Sequence, residues 1–162
     1  MMRSEQEIKG AMDRHAHMVR RLCMVHLKNR ADTEDIFQTV FLKYALCSTA
    51  FESVEHEKAW MIRVTVNACR DLLKSFFRSR CVSLEELEHR TAEVPGQHRE
   101  VLEAVLALPE KYRQAIYLHY YEGYRAPEIA GLLGRNEHTV YTHLARGREL
   151  LRHALGGDDD ET

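Results

Sequence analysis

Residues 128–150 read EIAGLLGRNEHTVYTHLARGREL. Apolar residues recur at helical spacing on both sides of a Gly-Arg-Asn break, so the stretch predicts two short helices and a tight turn. Gly134 follows Ala130 by four residues, and Val140 follows Gly134 by six. A helix-turn-helix needs a small residue in its first helix, so that the second can cross closely. It needs glycine in the turn for left-handed backbone, and a branched apolar residue to anchor the second helix. Ile129, Leu133, Leu144 and Leu151 supply the rest of a core, and Asn136 suits the N-cap of the second helix. At ~100° per residue, Val140, Leu144, Gly147 and Leu151 share one side of that helix. His138, Thr142, Ala145 and Glu149 face the other way, Tyr141 and Arg146 flank them, and Arg135 sits just ahead. Such a face suits a major groove, with its N-terminal turn nearest the base edges. Arg146, Arg148 and Arg152 suit phosphates. A plain helical hairpin with a solvated face is the competing reading.

Upstream, Pro127 opens this unit and Gly123 ends a helix through Ala115, Ile116, Leu118, His119 and Tyr120. Pro109 stands where that helix can start. Val101, Leu102, Val105 and Leu106 form one face of a preceding helix in a block that begins near His98. Nearer the N-terminus, Ser4 and Glu7 have capping-box spacing and precede an amphipathic helix over roughly 5–28. Asp32 is placed to cap a second helix with the stripe Ile36, Phe37, Val40, Phe41 and Tyr44. Glu34 and Asp35 fall in its first turn, where the helix dipole favours acids. CSTAFESVEHEK (47–58) reads as a polar break, and a third helix runs roughly 57–77. Periodicity fades from Arg78 to about Gln97, apart from a short helical turn at SLEE (83–86) and a turn at VPGQ (94–97). No strand alternation persists, so the fold class is all-α: two small helical domains joined by a linker.

Bulk properties agree. With 44% hydrophobic and 30% charged residues, the composition is that of an ordinary soluble chain, and 8 Gly and 3 Pro are too few for a turn-rich all-β architecture. No apolar run approaches the ~20 residues of a membrane span, and MMRSEQEIKG has no secretory core. Cys23, Cys47, Cys69 and Cys81 form no C-x-x-C pair, which argues for reduced thiols, most of them buried, over zinc or disulfides. His15 and His17 lie on different helix faces, and no H-x-x-x-H motif or nucleophile–base arrangement occurs, so neither metal, cofactor nor enzyme activity is expected. The net charge of −2 does not exclude DNA, because the charge is unevenly spread. Residues 1–80 carry net +4, 81–108 net −4, 109–157 net +2, and the tail DDDET net −4.

LPEKYRQAIYLHYYEGYRAPEIAGLLGRNEHTVYTHLARGRELLRHAL resembles the C-terminal promoter-binding domain (region 4) of bacterial sigma factors, through its LP…R, EIA, TV and R-x-R-x-L elements. RADTEDIFQTVFLKY resembles the region 2 helix that grips the polymerase clamp, and AWMIRVTVNACRDLLK the adjoining promoter-melting segment. Both blocks, in this order with a short linker, are similar to the extracytoplasmic-function (ECF) class. The resemblance implies region 2 over 1–78, an acidic linker over 79–97 and region 4 over 98–155; the tail over 156–162 is no hallmark of the family and reads as an acidic disordered tail from its composition. It implies no cofactor and no membrane contact, and a cytoplasmic location, on the nucleoid when polymerase-bound. The implied partners are core RNA polymerase (β′ clamp helices and β flap), promoter DNA and an anti-sigma factor, the last because the chain has no sensing domain of its own.

Carried onto this chain, the resemblance places Asp32, Glu34, Asp35, Gln38 and Phe41 against the clamp, where an acidic helix start, an exposed amide and an aromatic suit a basic coiled coil. Simple capping also accounts for the three acids. Trp60, Arg63, Asn67, Arg70 and Lys74 are placed on the opened −10 element, with the loop ESVEHE (52–57) forming part of a base pocket. The spacing of Trp60 with Met61, Val64 and Ala68 favours the core instead, whereas Asn67 within an apolar run needs partners and so points toward a base or a loop. Arg135, Asn136, Glu137, His138, Thr139, Tyr141, Thr142, Arg146 and Arg148 are placed on the −35 element. The family's linker threads channels that otherwise hold nucleic acid, which an acidic segment fits. Tyr141 and His143 depart from the pattern: the family often has basic residues there, so weaker phosphate attraction and an unusual base preference are expected. A self-sufficient repressor or activator, binding a palindrome as a dimer, is the rival reading.

Overall fold

The structure, a computed structural model, describes residues 2–79 and 99–156. The expected turns at 83–86 and 94–97, Cys81 and the acidic tail lie outside the described residues. The chain divides into two compact units, Met1–Arg90 and Thr91–Thr162. Every regular element among the described residues is helical.

The first unit packs α1 (Glu5–Leu27), α2 (Arg30–Leu46) and α3 (Val54–Ser79) against one another. The capping box of α1 forms as expected, with Ser4 Oγ accepting from the Glu7 N–H. The α1–α2 turn is tight: Lys28 takes left-handed backbone (φ 60°) and its N–H donates to the Met24 carbonyl. The cap of α2 differs from expectation. Asn29, not Asp32, is the N-cap, and its side chain accepts from the Asp32 N–H. Asn29 has the extended backbone a cap needs, whereas Asp32 is already inside the first turn. The core is Val19, Leu22, Cys23, Val40, Met61, Ile62, Val66 and Cys69, none of them more than 1% exposed. Each large apolar member contributes about 1.5–3 kcal/mol by leaving water.

The second unit contains α4 (Arg99–Leu106), α5 (Glu110–Ile116), a π-helical turn (Tyr117–Tyr121), α6 (Ala126–Leu133) and α7 (Glu137–Ala154). Val101 is exposed and Leu106 buried, so α4 contributes only part of the expected face. The LP…R element has a structural role. Arg113 is buried, and its Nη1 donates to the carbonyls of Leu106 (3.2 Å), the last residue of α4, and of Leu108 (2.7 Å), just beyond it. The π-turn was not legible in the sequence. There the Glu122 N–H reaches back to the Tyr117 carbonyl, and Gly123 then turns the chain with φ 80°.

Candidate polymerase and nucleic-acid interfaces

The helix-turn-helix is α6, turn and α7. Gly134 has φ 65°, the left-handed conformation that the turn requires. Ala130 and Val140 are buried, as are Ile129, Leu133 and Leu144, while Leu151 is half-buried. Asn136 caps α7 through its side chain, which accepts from the His138 N–H at 2.7 Å. Gly147 marks the closest approach: a Cβ there would lie 2.7 Å from Cγ1 of Ile116. His138, Tyr141, Thr142, Ala145, Arg146, Arg148 and Glu149 are exposed, as are Asn136 and Glu137, while Arg135 and Thr139 are half-buried. Arg146 pairs with Glu149 (3.3 Å), and Arg148 donates to the Tyr120 hydroxyl (3.2 Å).

His143 does not share the exposed face with Tyr141: it is 9% exposed, with its ring edge-on to Tyr112 at 5.4 Å. Burial, with Arg135 and Lys111 nearby, holds its pKa below the ordinary imidazole value and favours the neutral ring. The helix period places residue 143 between Val140 and Gly147, on the packed side. Of the two departures from the family pattern, only Tyr141 faces outward.

In the first unit, Asp35 and Gln38 are exposed on α2. Asp32 is half-buried, and Glu34 is held by Arg20 (Nε–Oε2 2.9 Å), whose guanidinium lies 3.9 Å over the Phe37 ring. Phe41 does not reach the surface. It is 4% exposed, with its ring centroid 4.8 Å from that of Phe37, because residue 41 continues the buried 37–40–44 stripe. The exposed apolar residues are Leu42 and Leu46, at 61% and 58%, on the same flank as Asp35 and Gln38 at three- and four-residue spacing. Their chemistry on the surface carried no signal in sequence, because leucine is ordinary in either place.

On α3, Arg63, Asn67 and Lys74 are exposed and Arg70 half-buried. The spacing 63–67–70–74 makes one continuous polar stripe. Asn67 therefore sits in solvent and not within the core. Trp60 is half-buried in an aromatic cluster, 6.0 Å from the Tyr44 ring and 5.8 Å from Phe51.

At the start of the same helix, ahead of that stripe, lies a polar hub that sequence reasoning missed. Glu57, 6% exposed in the first turn of α3, accepts from Arg14 Nη2 (2.8 Å), the Tyr44 hydroxyl (2.7 Å) and, on the geometry, His15 Nε2 (2.9 Å). Burial by itself would raise its carboxyl, but the hydrogen bonds from Tyr44, Arg14 and His15 outweigh that and hold it below the ordinary range. Burial and Glu57 together push the Tyr44 phenol up to about 12. Burial also lowers His15, so a neutral ring donating Nε2–H is the consistent state. FESVEHEK (51–58) concealed this hub because four charged residues and a His in a polar run look like solvated loop, whereas the helix already begins at Val54 and takes in most of the expected 52–57 loop.

Among the described residues, no group of three or more His, Cys, Asp or Glu could hold a metal ion, and no helix is long and apolar enough to cross a membrane. Cys23 and Cys69 are buried free thiols and Cys47 a half-buried one.

Residues 11–79 match the family described as Sigma-70 region 2, and residues 98–151 the family described as Sigma-70, region 4. RNA polymerase sigma factor SigV of Bacillus subtilis (strain 168) is 28% identical over 141 residues, covering 86% of this chain and 85% of that protein. ECF RNA polymerase sigma factor SigM of Mycobacterium tuberculosis is 30% identical over 146 residues, 88% of this chain and 74% of that protein. In fold, the chain is similar to the sigma factor RpoE from Bartonella quintana, solved in complex with the anti-sigma factor NepR: TM-score 0.71, 19% identity, 95% of this chain and 97% of that one. It is also similar to CnrH, solved with the cytosolic domain of CnrY: TM-score 0.65, 21% identity, 96% and 91% coverage. With both sigma-70 segments in order and a 30% identical relative over most of its length, this chain belongs to the ECF family of RNA polymerase sigma factors.

Proposed function

We propose that the chain binds core RNA polymerase and directs promoter-specific initiation through three surfaces. Asp35 and Gln38 on α2, with Glu34 and Asp32 beside them, meet the β′ clamp helices, and Leu42 and Leu46 supply the apolar contact that buried Phe41 cannot. The α3 stripe of Arg63, Asn67, Arg70 and Lys74, with Trp60 and the loop ahead of the helix, holds the opened −10 strand: cationic groups for phosphates and an amide for a base edge. The exposed face of α7 meets the −35 duplex, His138 and Thr142 toward bases, Arg146 and Arg148 toward phosphates.

The observation that carries this reading is the pair of polar faces, on α3 and on α7, each backed by an apolar core and each within its own sigma-70 segment. Domain limits of 1–78 and 98–155, with a linker of 79–97 that follows nucleic-acid channels in core, accompany it. The chain acts where polymerase acts, in the cytoplasm, and the β flap is the partner of region 4. An anti-sigma factor restrains it; both solved neighbours carry such a partner or a cytosolic partner domain. The test is in vitro transcription with core polymerase over a promoter library. Initiation from a defined set of −35/−10 pairs is the expected result. No initiation from a folded chain, together with dimeric binding to a palindrome, would establish the repressor reading instead.

A further inference from the structure

Residues 1–10 lie outside the matched segments, yet Arg3 makes a run of contacts that ends on the loop ahead of α3. The capping box fixes where the chain leaves α1 and brings Arg3 beside the C-terminus of α2. There the Arg3 N–H donates to the Ala45 carbonyl (2.8 Å) and its Nε to the Tyr44 carbonyl (3.0 Å). The last carbonyls of a helix lack intrahelical partners and carry the negative end of its dipole, so one arginine satisfies two of them.

The guanidinium continues past the helix end. It lies 4.4 Å from the Tyr44 ring centroid and 5.3 Å from that of Phe51, and its Nη2 donates to the Thr49 carbonyl. Cys47 Sγ is 3.9 Å from the same nitrogen and accepts from the Thr49 N–H. Phe51 lies parallel to Tyr44 at 6.1 Å and edge-on to Trp60. The Arg3 side chain is 12% exposed; its contacts at Tyr44 and Cys47 are part-buried, while the end of the run on Thr49 is open to solvent. Between the loop and the first turns of α1 lies a cavity of about 490 Å³. On that side the loop rests on the Arg3 fork and not on packed side chains.

We propose that Arg3 is a positioning residue for promoter opening: it holds the 47–51 backbone, and this fixes where the chain enters residues 52–57, the segment read as part of the base pocket. The proposal rests on the reading of the loop and the α3 stripe as the −10 site. The experiment uses holoenzyme assembled from core polymerase and the full chain. It measures capture of a promoter with an unpaired −10 region, binding of a −35 duplex and affinity for core.

Arg3→Ala is expected to reduce capture of the unpaired strand about ten-fold, the loss of charge-assisted hydrogen bonds, with core affinity and −35 binding unchanged. Arg3→Lys restores part of it, because lysine keeps the charge but not the fork. Phe51→Leu loosens the loop from its other side and gives the same selective loss. Wild-type capture by Arg3→Ala beside lost capture by Asn67→Ala overturns the role of Arg3 and leaves the −10 reading standing. Equal losses in capture and core affinity overturn it too, as general destabilisation of the first unit. Wild-type capture by Arg3→Ala and Asn67→Ala alike removes the −10 reading itself.

Discussion

In the first unit three helices meet on one buried carboxylate; in the second, the recognition helix meets its neighbours through a bare glycine, apolar side chains and one neutral imidazole ring. Glu57 joins Arg14 and His15 of α1 and Tyr44 of α2 to α3. Gly147 lets α7 approach Ile116, and Leu144 and Val140 are buried one and two turns before it on the same side of the helix. The two solutions tolerate different damage. A hub of hydrogen bonds fails when one member is removed, since the others are left buried without a partner. An apolar contact fails when volume is added or deleted. The difference also suits the surfaces they support. On the proposed function, the α3 stripe would work beside a loop without regular structure, which directional bonds can hold, whereas α7 would need only to be held rigidly as one rod.

The sharpest way to break this comparison is Glu57→Ala. It is expected to destabilise the first unit by about 3 kcal/mol, read as a shifted denaturant midpoint, because Arg14 and His15 lose their common acceptor. A shift no larger than that of an ordinary surface substitution would mean that the hub is not what holds the three helices. Next comes Gly147→Leu, expected to cost about 2 kcal/mol in the second unit through overpacking on Ile116 and Tyr112. An unchanged midpoint there would show that α7 has room to shift.

A smaller effect separates readers of bases from binders of phosphate. Thr142→Ala or His138→Ala should change which base is preferred at one −35 position, worth about 1 kcal/mol in a promoter-selection assay. Arg146→Ala should instead weaken all sequences alike and make the salt dependence shallower by about one unit of slope. His143→Gln, in the packed side of α7, should leave base preference untouched. A changed preference with that variant would contradict its buried placement.

The smallest expected effect is on pH dependence. His15 and His143 are both held below the ordinary imidazole value by burial. Above about pH 6.5 they are neutral folded or unfolded, and stability does not depend on them. As pH falls through that value the unfolded chain takes up protons that the folded one refuses, so stability declines toward acid. Glu57, held low, adds a further loss only below the ordinary carboxylate range. Unfolding midpoints at pH 7.5 and 5.5 should therefore differ in this direction, and by less in His143→Gln. A higher midpoint at the acid end would reverse the assignment of neutral rings.

Much of this molecule follows from local sequence. The apolar periods of α1, α2, α3 and α7, the Ser4–Glu7 box, the Gly134 turn and the Asn136 cap are short-range features, and a helix forms from residues three and four apart. The segments that carry the family resemblance are of the same kind. Tertiary structure decided which face of each helix is covered, and the helix period then carries each residue inward or outward with its face. Phe41 is buried while Leu42 and Leu46 are not; His143 packs on Tyr112 while Tyr141 faces out; Asn67 stands in solvent within an apolar run. The Glu57 hub and the Arg3 fork join residues 43 and 46 positions apart at their widest, Arg14 to Glu57 and Arg3 to Thr49. Local pattern cannot encode such pairs, because a charged side chain looks solvated until folding brings its partners and excludes the water between them.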